Sequence, residues 1–178
     1  MKKIMLSGIA FFAFLVAQAQ ENELQIQGNQ VSKGKWLIEA NTGFGQKVGN
    51  TSLYFKTSDG VTAYNIGLEG GYFIKDNLAI KVGLGYGDDG VSTLTDPIAY
   101  KLGLKYYFKS KIPVEISYNG VGFGDTDANP AYIGFQAGYA FFLGKNVSME
   151  PGIRYNNAVN KSFYDSNFQF NMGFALHF

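Results

Sequence analysis

The last twelve residues, NFQFNMGFALHF (167–178), alternate without exception between two kinds of side chain. A repeat of two residues is the side-chain period of a β-strand, in which successive residues point to opposite faces. The stretch therefore predicts a strand that is apolar on one face and small or polar on the other. The apolar face would carry Phe168, Phe170, Met172, Phe174, Leu176 and Phe178.

The same alternation occurs seven more times along the chain, and the connections between these runs alternate in length. Three connections are short, at 73–77, 109–113 and 142–146, and the others are long and polar. Short turns at one end and long loops at the other are typical of an up-and-down antiparallel meander. The seven further runs are 36–44, 64–72, 78–86, 98–108, 114–118, 133–141 and 147–155.

The two faces of these runs differ in charge, and this difference predicts which face points inward. The bulky apolar face carries no charged residue in any of the eight runs, whereas the other face carries eight. An eight-stranded barrel has an interior only wide enough for side chains, so the aromatic face cannot fit there. A soluble eight-stranded barrel, the alternative fold, would place its bulky face inside. We therefore predict an all-β, eight-stranded antiparallel up-and-down transmembrane β-barrel with its apolar face toward lipid.

The inward charges balance, with four acidic and four basic side chains. Unpaired charges are costly to bury, so we expect them to pair in a network that fills the lumen. A layer of Glu39, Glu69, Lys81, Lys105 and Glu150 should lie near the short-turn end. A narrow ion pathway through rearranged pairs is the alternative. The predicted lumen network comprises Glu39, Glu69, Lys81, Lys101, Lys105, Glu115, Glu150 and Arg154.

The first residues have the pattern of a cleaved secretory signal. Two lysines precede an apolar run, and small residues follow it. We expect a signal peptide at 1–19, cleaved after Ala19 or Gln20, a short periplasmic segment at 20–32 and the barrel at 33–178. The remaining chain has 13 basic and 14 acidic residues, so no basic excess favours nucleic acid. The chain has no Cys, and nothing in it predicts a cofactor.

Taken together, these features resemble the small outer-membrane β-barrel family, the OmpA/OmpX-like barrels of Gram-negative bacteria. The resemblance covers the barrel, and its most specific element is the C-terminal strand that ends on an aromatic residue. It implies that this strand is the signal read by the barrel-assembly machinery. It also implies periplasmic termini and short turns, with long loops outside the cell. The implied signal residues are Phe170, Met172, Phe174, Leu176 and Phe178.

The function that follows from this resemblance is a non-catalytic protein of the cell outer membrane. Its partners would be outer-membrane lipid and lipopolysaccharide, with an unknown extracellular partner and a monomeric state. Its role would be structural or would use the long loops to contact the surroundings. A narrow porin-like pore or a carrier of small solutes is the alternative function.

A lipid-modifying enzyme is disfavoured, because the chain has a single His, His177, at the expected periplasmic rim. We expect His177 to cap the lumen network instead. The acidic loop segments 87–90 and 124–129 lack the ligand spacing of a calcium loop, so no metal site is predicted.

Two local features lead to further expectations. Across the short turns, positions 72 and 78, 108 and 114, and 141 and 147 should face each other, so that both apolar faces stay outward. Glu69 and Lys81 would then be direct cross-strand neighbours, and Lys105 and Glu115 a diagonal pair. Pro151 has no N–H to donate, so we expect a bulge at this position or a strand that pairs only below it.

Overall fold

A computed structural model describes residues 30–44, 53–58, 60–88, 98–122, 129–162 and 164–178. The expected signal peptide, most of the segment at 20–32 and parts of the long loops lie outside these residues. Within the described part of the chain, no helix is long and apolar enough to cross a membrane. The strands are β1 (Trp36–Phe44), β2 (Tyr54–Ser58), β3 (Val61–Lys75), β4 (Leu78–Asp88), β5 (Ile98–Phe108), β6 (Ile112–Gly122), β7 (Ala131–Gly138), β8 (Phe141–Phe142), β9 (Val147–Ala158) and β10 (Asn167–His177).

The strands close into an antiparallel barrel whose wall is eight strands wide. Around the wall the order is β1, β3, β4, β5, β6, β7, β9 and β10, and β10 pairs back with β1 from Leu37↔His177 to Phe44↔Phe170. Closure leaves no free sheet edge along these pairings, so the backbone groups of each strand find partners on both sides. The prediction of an all-β, eight-stranded antiparallel barrel closed by its last strand against its first is confirmed.

Two of the ten strands add no width to the wall. β2 forms a hairpin with the first residues of β3, beyond the part of β3 that pairs with β1. β8 continues β7 along β9, because Gly138↔Gly152 and Phe141↔Met149 belong to one register.

Pro151 separates β7 from β8. Tyr139 lies between the two strands and donates its N–H to the Pro151 carbonyl at 3.0 Å, but Pro151 has no N–H to return. On its other side Pro151 pairs with Met172 in an uninterrupted register. The expectation of a bulge, or of a strand that pairs only below Pro151, is therefore wrong. The missing donor interrupts the neighbouring strand, whereas β9 itself is continuous.

The expected pairing across the short turns is wrong by two residues at all three turns. Tyr72 pairs with Ile80 instead of position 78, Tyr106 pairs with Val114, and Phe141 pairs with Met149. An even shift keeps every side chain on its predicted face.

Turn conformation explains the shift at the first two turns. β3 contains an irregularity between Phe73 and Lys75, and Asn77 follows with a φ of 66°. The turn between β5 and β6 is shortened by Lys109 and Ser110, whose φ values are 52° and 58°. These left-handed conformations are uncommon outside Gly, so the alternation pattern did not predict them.

The exposure of the described side chains follows the period of two along the wall strands. On β4 and β5, inward residues are buried and outward residues are exposed, as with Lys81 at 0% and Leu84 at 69% relative exposure. Phe170 on β10 lies outside the lumen, 70% exposed, as predicted. The inner face is therefore the polar one, and the outer face carries the large apolar side chains.

An apolar cluster occupies the lumen at the end where the short turns lie, which we call the short-turn end. Residues 30 and 31, which precede β1, close over it: the Val31 carbonyl accepts the Asn77 N–H, and Gln30 Nε2 donates to the carbonyls of Gly144 and Lys145 at 2.9 and 2.6 Å. These contacts tie residues 30–31 to two turns on the rim. We call this cluster the short-turn seal; it comprises Val31, Leu37, Phe73, Ala79, Tyr107, Ala140, Phe142 and Ala175.

Candidate functional site: the lumen charge network

All eight charged residues that the sequence places on the inward face lie inside the barrel, and none is more than 6% exposed. They lie on the inner faces of six of the eight wall strands, so the barrel wall itself holds them in one group. Their ion pairs connect strands that are not neighbours in the wall. The charges therefore extend across the lumen.

Lys81 on β4 is the residue with the most carboxylate partners. Its Nζ lies 2.8 Å from Glu39, 2.5 Å from Glu69 and 3.0 Å from Glu115. These carboxylates belong to β1, β3 and β6, so one ammonium group joins three other strands. Charge-assisted hydrogen bonds of this length are among the strongest in proteins.

Lys105 on β5 makes the second connection across the barrel. Its Nζ lies 2.6 Å from Glu39 on β1 and 2.6 Å from Glu150 on β9. Lys101 lies four residues before Lys105 on the same face of β5. It pairs with Glu69 at 2.9 Å and with Glu115 at 2.8 Å. The expected layer is thus larger than predicted, since it also includes Lys101 and Glu115.

Two predicted charge pairs have a different geometry from the one expected. Glu69 is opposite Gly83 instead of Lys81, because the register is shifted by two, and the ion pair to Lys81 forms along a diagonal. Lys105 and Glu115 are directly opposite each other instead of diagonal. The long lysine side chains reach diagonal carboxylates, which is why the shift does not remove the Glu69–Lys81 pair.

Arg154 on β9 organises the half of the network toward the long loops. Its guanidinium donates to Glu115, Gln136, Ser117, Asn119 and Asn156, at distances from 2.6 to 3.2 Å. All its nitrogens are thereby engaged, which suits a group that stays charged when buried.

Gly134 on β7 provides the space for this guanidinium. A Cβ at Gly134 would collide with Arg154 Nη2, so a larger residue would displace the guanidinium from its path over β7 to β6. This close approach of Arg154 explains why a glycine lies between large residues on this strand.

A second polar group lies where the network meets the short-turn seal. Glu150 Oε1 accepts hydrogen bonds from Tyr107 at 2.8 Å and from Ser148 at 2.9 Å, and Ser148 Oγ lies 3.0 Å from His177 Nε2. The His177 ring also packs against Phe73 and the other seal aromatics. His177 thus lies at the boundary of the network, where we expected it to cap the lumen.

The Ser148–His177 contact has the composition of a nucleophile and a base, and sequence reasoning did not identify it. Its geometry does not suit catalysis. Ser148 and His177 are 0% and 1% exposed, and the Ser148 hydroxyl donates to Glu150 and not to the histidine. A buried serine whose proton is held by a carboxylate is not activated for attack. The arrangement instead gives hydrogen-bond partners to Ser148, Glu150 and the Nε2 of His177 beside an apolar cluster.

The short-turn seal is the part of the lumen that sequence reasoning missed. Phe73 and Phe142 lie in the short connections 73–77 and 142–146, and Tyr107 lies on the polar face of the run 98–108. The alternation itself contains the signal, since Phe73 and Tyr107 continue the inward rows of Glu69 and Lys105. Those rows change from charged to aromatic as they approach the turns.

The residues of the predicted assembly signal form the outward row of β10. Phe170, Phe174, Leu176 and Phe178 are exposed, and Met172 is half-buried. β10 is paired along its length with β9 and β1. Among the described residues, no group of three or more His, Asp or Glu side chains is arranged to hold a metal ion.

No family model and no curated protein matches the chain. Solved structures with a similar fold do exist. The N-terminal β-barrel domain of Pseudomonas aeruginosa OprF is 14% identical, with a TM-score of 0.54, over 82% of this chain and 98% of that domain. OprG of Pseudomonas aeruginosa is 14% identical (TM-score 0.47; 86% and 99% coverage), and Ail of Yersinia pestis is 12% identical (TM-score 0.46; 82% and 100%). At this identity, the likeness to the OprF domain establishes the barrel fold alone.

Proposed function

We propose that the protein is an integral β-barrel of the bacterial outer membrane with a non-catalytic role and a closed lumen. The observation that carries this proposal is the outer surface of the barrel. Large apolar side chains are exposed on all sides of the wall, among them Ile66, Leu84, Leu102, Phe135 and Phe170, each between 48% and 70% exposed. Such a surface far exceeds what a water-soluble monomer tolerates, and lipid is the solvent that covers it.

The distribution of aromatic side chains supports a membrane position. Tyr72, Tyr106 and Phe108 are exposed near the short-turn end, and Tyr86 and Phe168 are exposed near the long-loop end. Outer-membrane barrels carry girdles of aromatic residues at both membrane interfaces. A closed barrel also satisfies its backbone hydrogen bonds without water, as a membrane span requires. The short turns and both chain ends would then face the periplasm.

The side chains inside the barrel support the proposal that the lumen is closed. The charge network links opposite walls through Lys81 and Lys105, and the short-turn seal lies between it and the short-turn end. Eight strands leave little space beyond these side chains. The role of the protein would then be structural, or it would lie in its long loops, with lipid and lipopolysaccharide as its surroundings.

Refolding into lipid vesicles tests the membrane assignment, and a planar bilayer tests the closed lumen. The folded barrel should enter phosphatidylcholine vesicles and run on a gel at a different mobility before and after boiling. The inserted protein should show negligible conductance. A protein that remains in the aqueous phase would contradict the membrane assignment. A steady conductance would instead support the alternative of a narrow pore.

The outward row of β10 fits the proposed assembly signal, because Phe178 is the last member of the row on the strand that closes the barrel. Its backbone exchanges two hydrogen bonds with Trp36 on β1, at 3.0 and 3.1 Å. Deleting Phe178 should therefore lower the yield of folded barrel in the outer membrane, as measured by heat-modifiable mobility. Deleting exposed Lys161 serves as the control, and an equal yield for both deletions would contradict the signal.

A further inference from the structure

The charged side chains outside the lumen are distributed unevenly between the two ends of the barrel. At the short-turn end, the described residues include six lysines and one acidic residue, Asp76. Four of these lysines are exposed and two are half-buried. The six lysines, which we call the basic rim, are Lys33, Lys35, Lys75, Lys109, Lys111 and Lys145.

The opposite end has the reverse composition. The chain segments that connect strands there, 45–62, 88–97, 123–130 and 159–166, contain seven aspartates and three lysines. Among the described residues, the barrel is therefore basic at its short-turn end and balanced in its lumen, and the segments that connect strands at the other end are acidic in composition. This separation is hidden in the nearly neutral total charge.

The basic rim directly adjoins the apolar belt. Lys35 precedes Trp36, which is 60% exposed, and the Lys109 ammonium lies 5.7 Å from the centre of the Phe108 ring. Ile74 and Ile112, beside Lys75 and Lys111, are also outward-facing and exposed. Lysines in this position can keep their methylene groups on apolar surface and extend their ammonium groups to the headgroup level.

We propose that the basic rim binds the anionic phospholipid headgroups of the membrane leaflet at the short-turn end, and so enriches anionic lipid around that end. The proposal rests on the membrane position given under Proposed function. Anionic lipid is favoured over an anionic soluble partner because the lysines follow the edge of the lipid-facing belt around the wall. Phosphate headgroups lie at that depth, and each lysine near an anionic surface adds to the attraction.

Trp36 makes the inference measurable, because it is the only Trp of the chain and lies at the basic rim. The protein would be refolded into vesicles of phosphatidylcholine and phosphatidylglycerol in equal amounts, with bromine on the acyl chains of one lipid or the other. Bromine quenches only a nearby indole, so the two quenching values report the lipid composition beside Trp36. We expect phosphatidylglycerol to be about twofold enriched there, and high salt to abolish the enrichment.

Substitutions test whether the rim lysines cause the enrichment of phosphatidylglycerol beside Trp36. Lys33→Gln, Lys35→Gln and Lys75→Gln replace the rim lysines on the chain segments beside Trp36. In the triple variant, the proportion of phosphatidylglycerol beside Trp36 should fall to that of the bulk lipid. Lys161→Gln at the opposite end should leave the enrichment unchanged. Moving the reporter with Trp36→Phe and Tyr155→Trp, at the acidic end, should show no enrichment.

The outcomes separate this inference from the membrane assignment. Quenching by both lipids in proportion to their amounts would overturn lipid selection while leaving the barrel in the membrane. Enrichment that survives high salt and the three glutamine substitutions would also overturn it. If neither brominated lipid quenches Trp36, the membrane assignment itself fails. Heat-modifiable mobility checks that each variant is folded.

Discussion

The charge network and the short-turn seal are adjacent layers of one lumen, built from the same inward rows, yet they are held together by different forces. Leu37 is two residues from Glu39 on β1, and Tyr107 is two residues from Lys105 on β5. In the network, each side chain depends on the charge of its partners. In the seal, each side chain depends on the volume that it fills. One face of a strand can therefore change its chemistry with depth.

This difference has energetic consequences. Removing one positive charge from the network leaves an excess negative charge where water has little access, which is strongly destabilising. Replacing one seal residue with another apolar residue of similar size changes only packing. Three substitutions test the contrast, from the largest expected effect to the smallest.

The largest effect is expected for Lys81→Met, which keeps most of the side-chain length and removes the charge shared by Glu39, Glu69 and Glu115. The free energy of unfolding should fall by about 3–5 kcal/mol, because the four buried carboxylates of the network are left with only three cations. Urea titration of the barrel in micelles, followed by Trp36 fluorescence, measures the loss.

A double-mutant cycle sharpens this test. Combining Lys81→Met with Glu69→Gln restores neutrality, so the double variant should be more stable than the sum of the two single losses implies. Lys161→Met on the exposed surface is the control and should change stability by less than about 0.5 kcal/mol. Additive losses in the cycle would show that the charges do not act as a network.

An intermediate effect is expected for Tyr107→Phe at the boundary between the two layers. The ring remains in the seal, and only the hydroxyl that donates to Glu150 at 2.8 Å is removed. A hydrogen bond to a charged group contributes about 1.5–3 kcal/mol, so the unfolding free energy should fall by that amount.

The neighbouring Tyr106→Phe provides a matched control, since Tyr106 faces outward and is 42% exposed. It should cost less than about 0.5 kcal/mol in the same urea titration. Equal losses for the two tyrosines would mean that the Glu150 contact does not link the layers.

The smallest effect is expected for Phe73→Leu within the seal. The substitution keeps an apolar side chain of similar volume, so the loss should be about 1 kcal/mol. It should also be the same at low and high salt, because no charge is involved. A loss as large as that of Lys81→Met, or one that depends on salt, would remove the distinction between the two layers.

Much of the fold follows from local pattern. The period of two predicts strands, the count of such runs predicts an eight-stranded barrel, and the position of charges predicts the inward face. All eight charged residues are indeed inside. These features depend on the residue itself and its nearest neighbours in sequence, so they can be derived without knowing what lies across the lumen.

The pairing of strands and charges does not follow from the same pattern. Any even shift between two strands keeps both apolar faces outward, so alternation cannot distinguish Tyr72↔Ile80 from a pairing with position 78. The irregularity after Phe73 and the left-handed turn residues decide between them. The effect of Pro151 likewise depends on which neighbouring strand lacks the N–H hydrogen bond. The alternation pattern does not show that this strand is the one formed by β7 and β8 and not β10.

The sequence by itself determined that this chain forms a closed barrel, which face is inside, and that the lumen is charged and neutral in total. Only the tertiary structure decided that Lys81 meets three carboxylates from three other strands, and that Arg154 passes over Gly134 to reach β6. It also decided that Val31 closes over Phe73 and Phe142. The physical reason is distance along the chain: alternation is a property of successive residues, whereas these contacts join distant residues that meet only when the barrel closes.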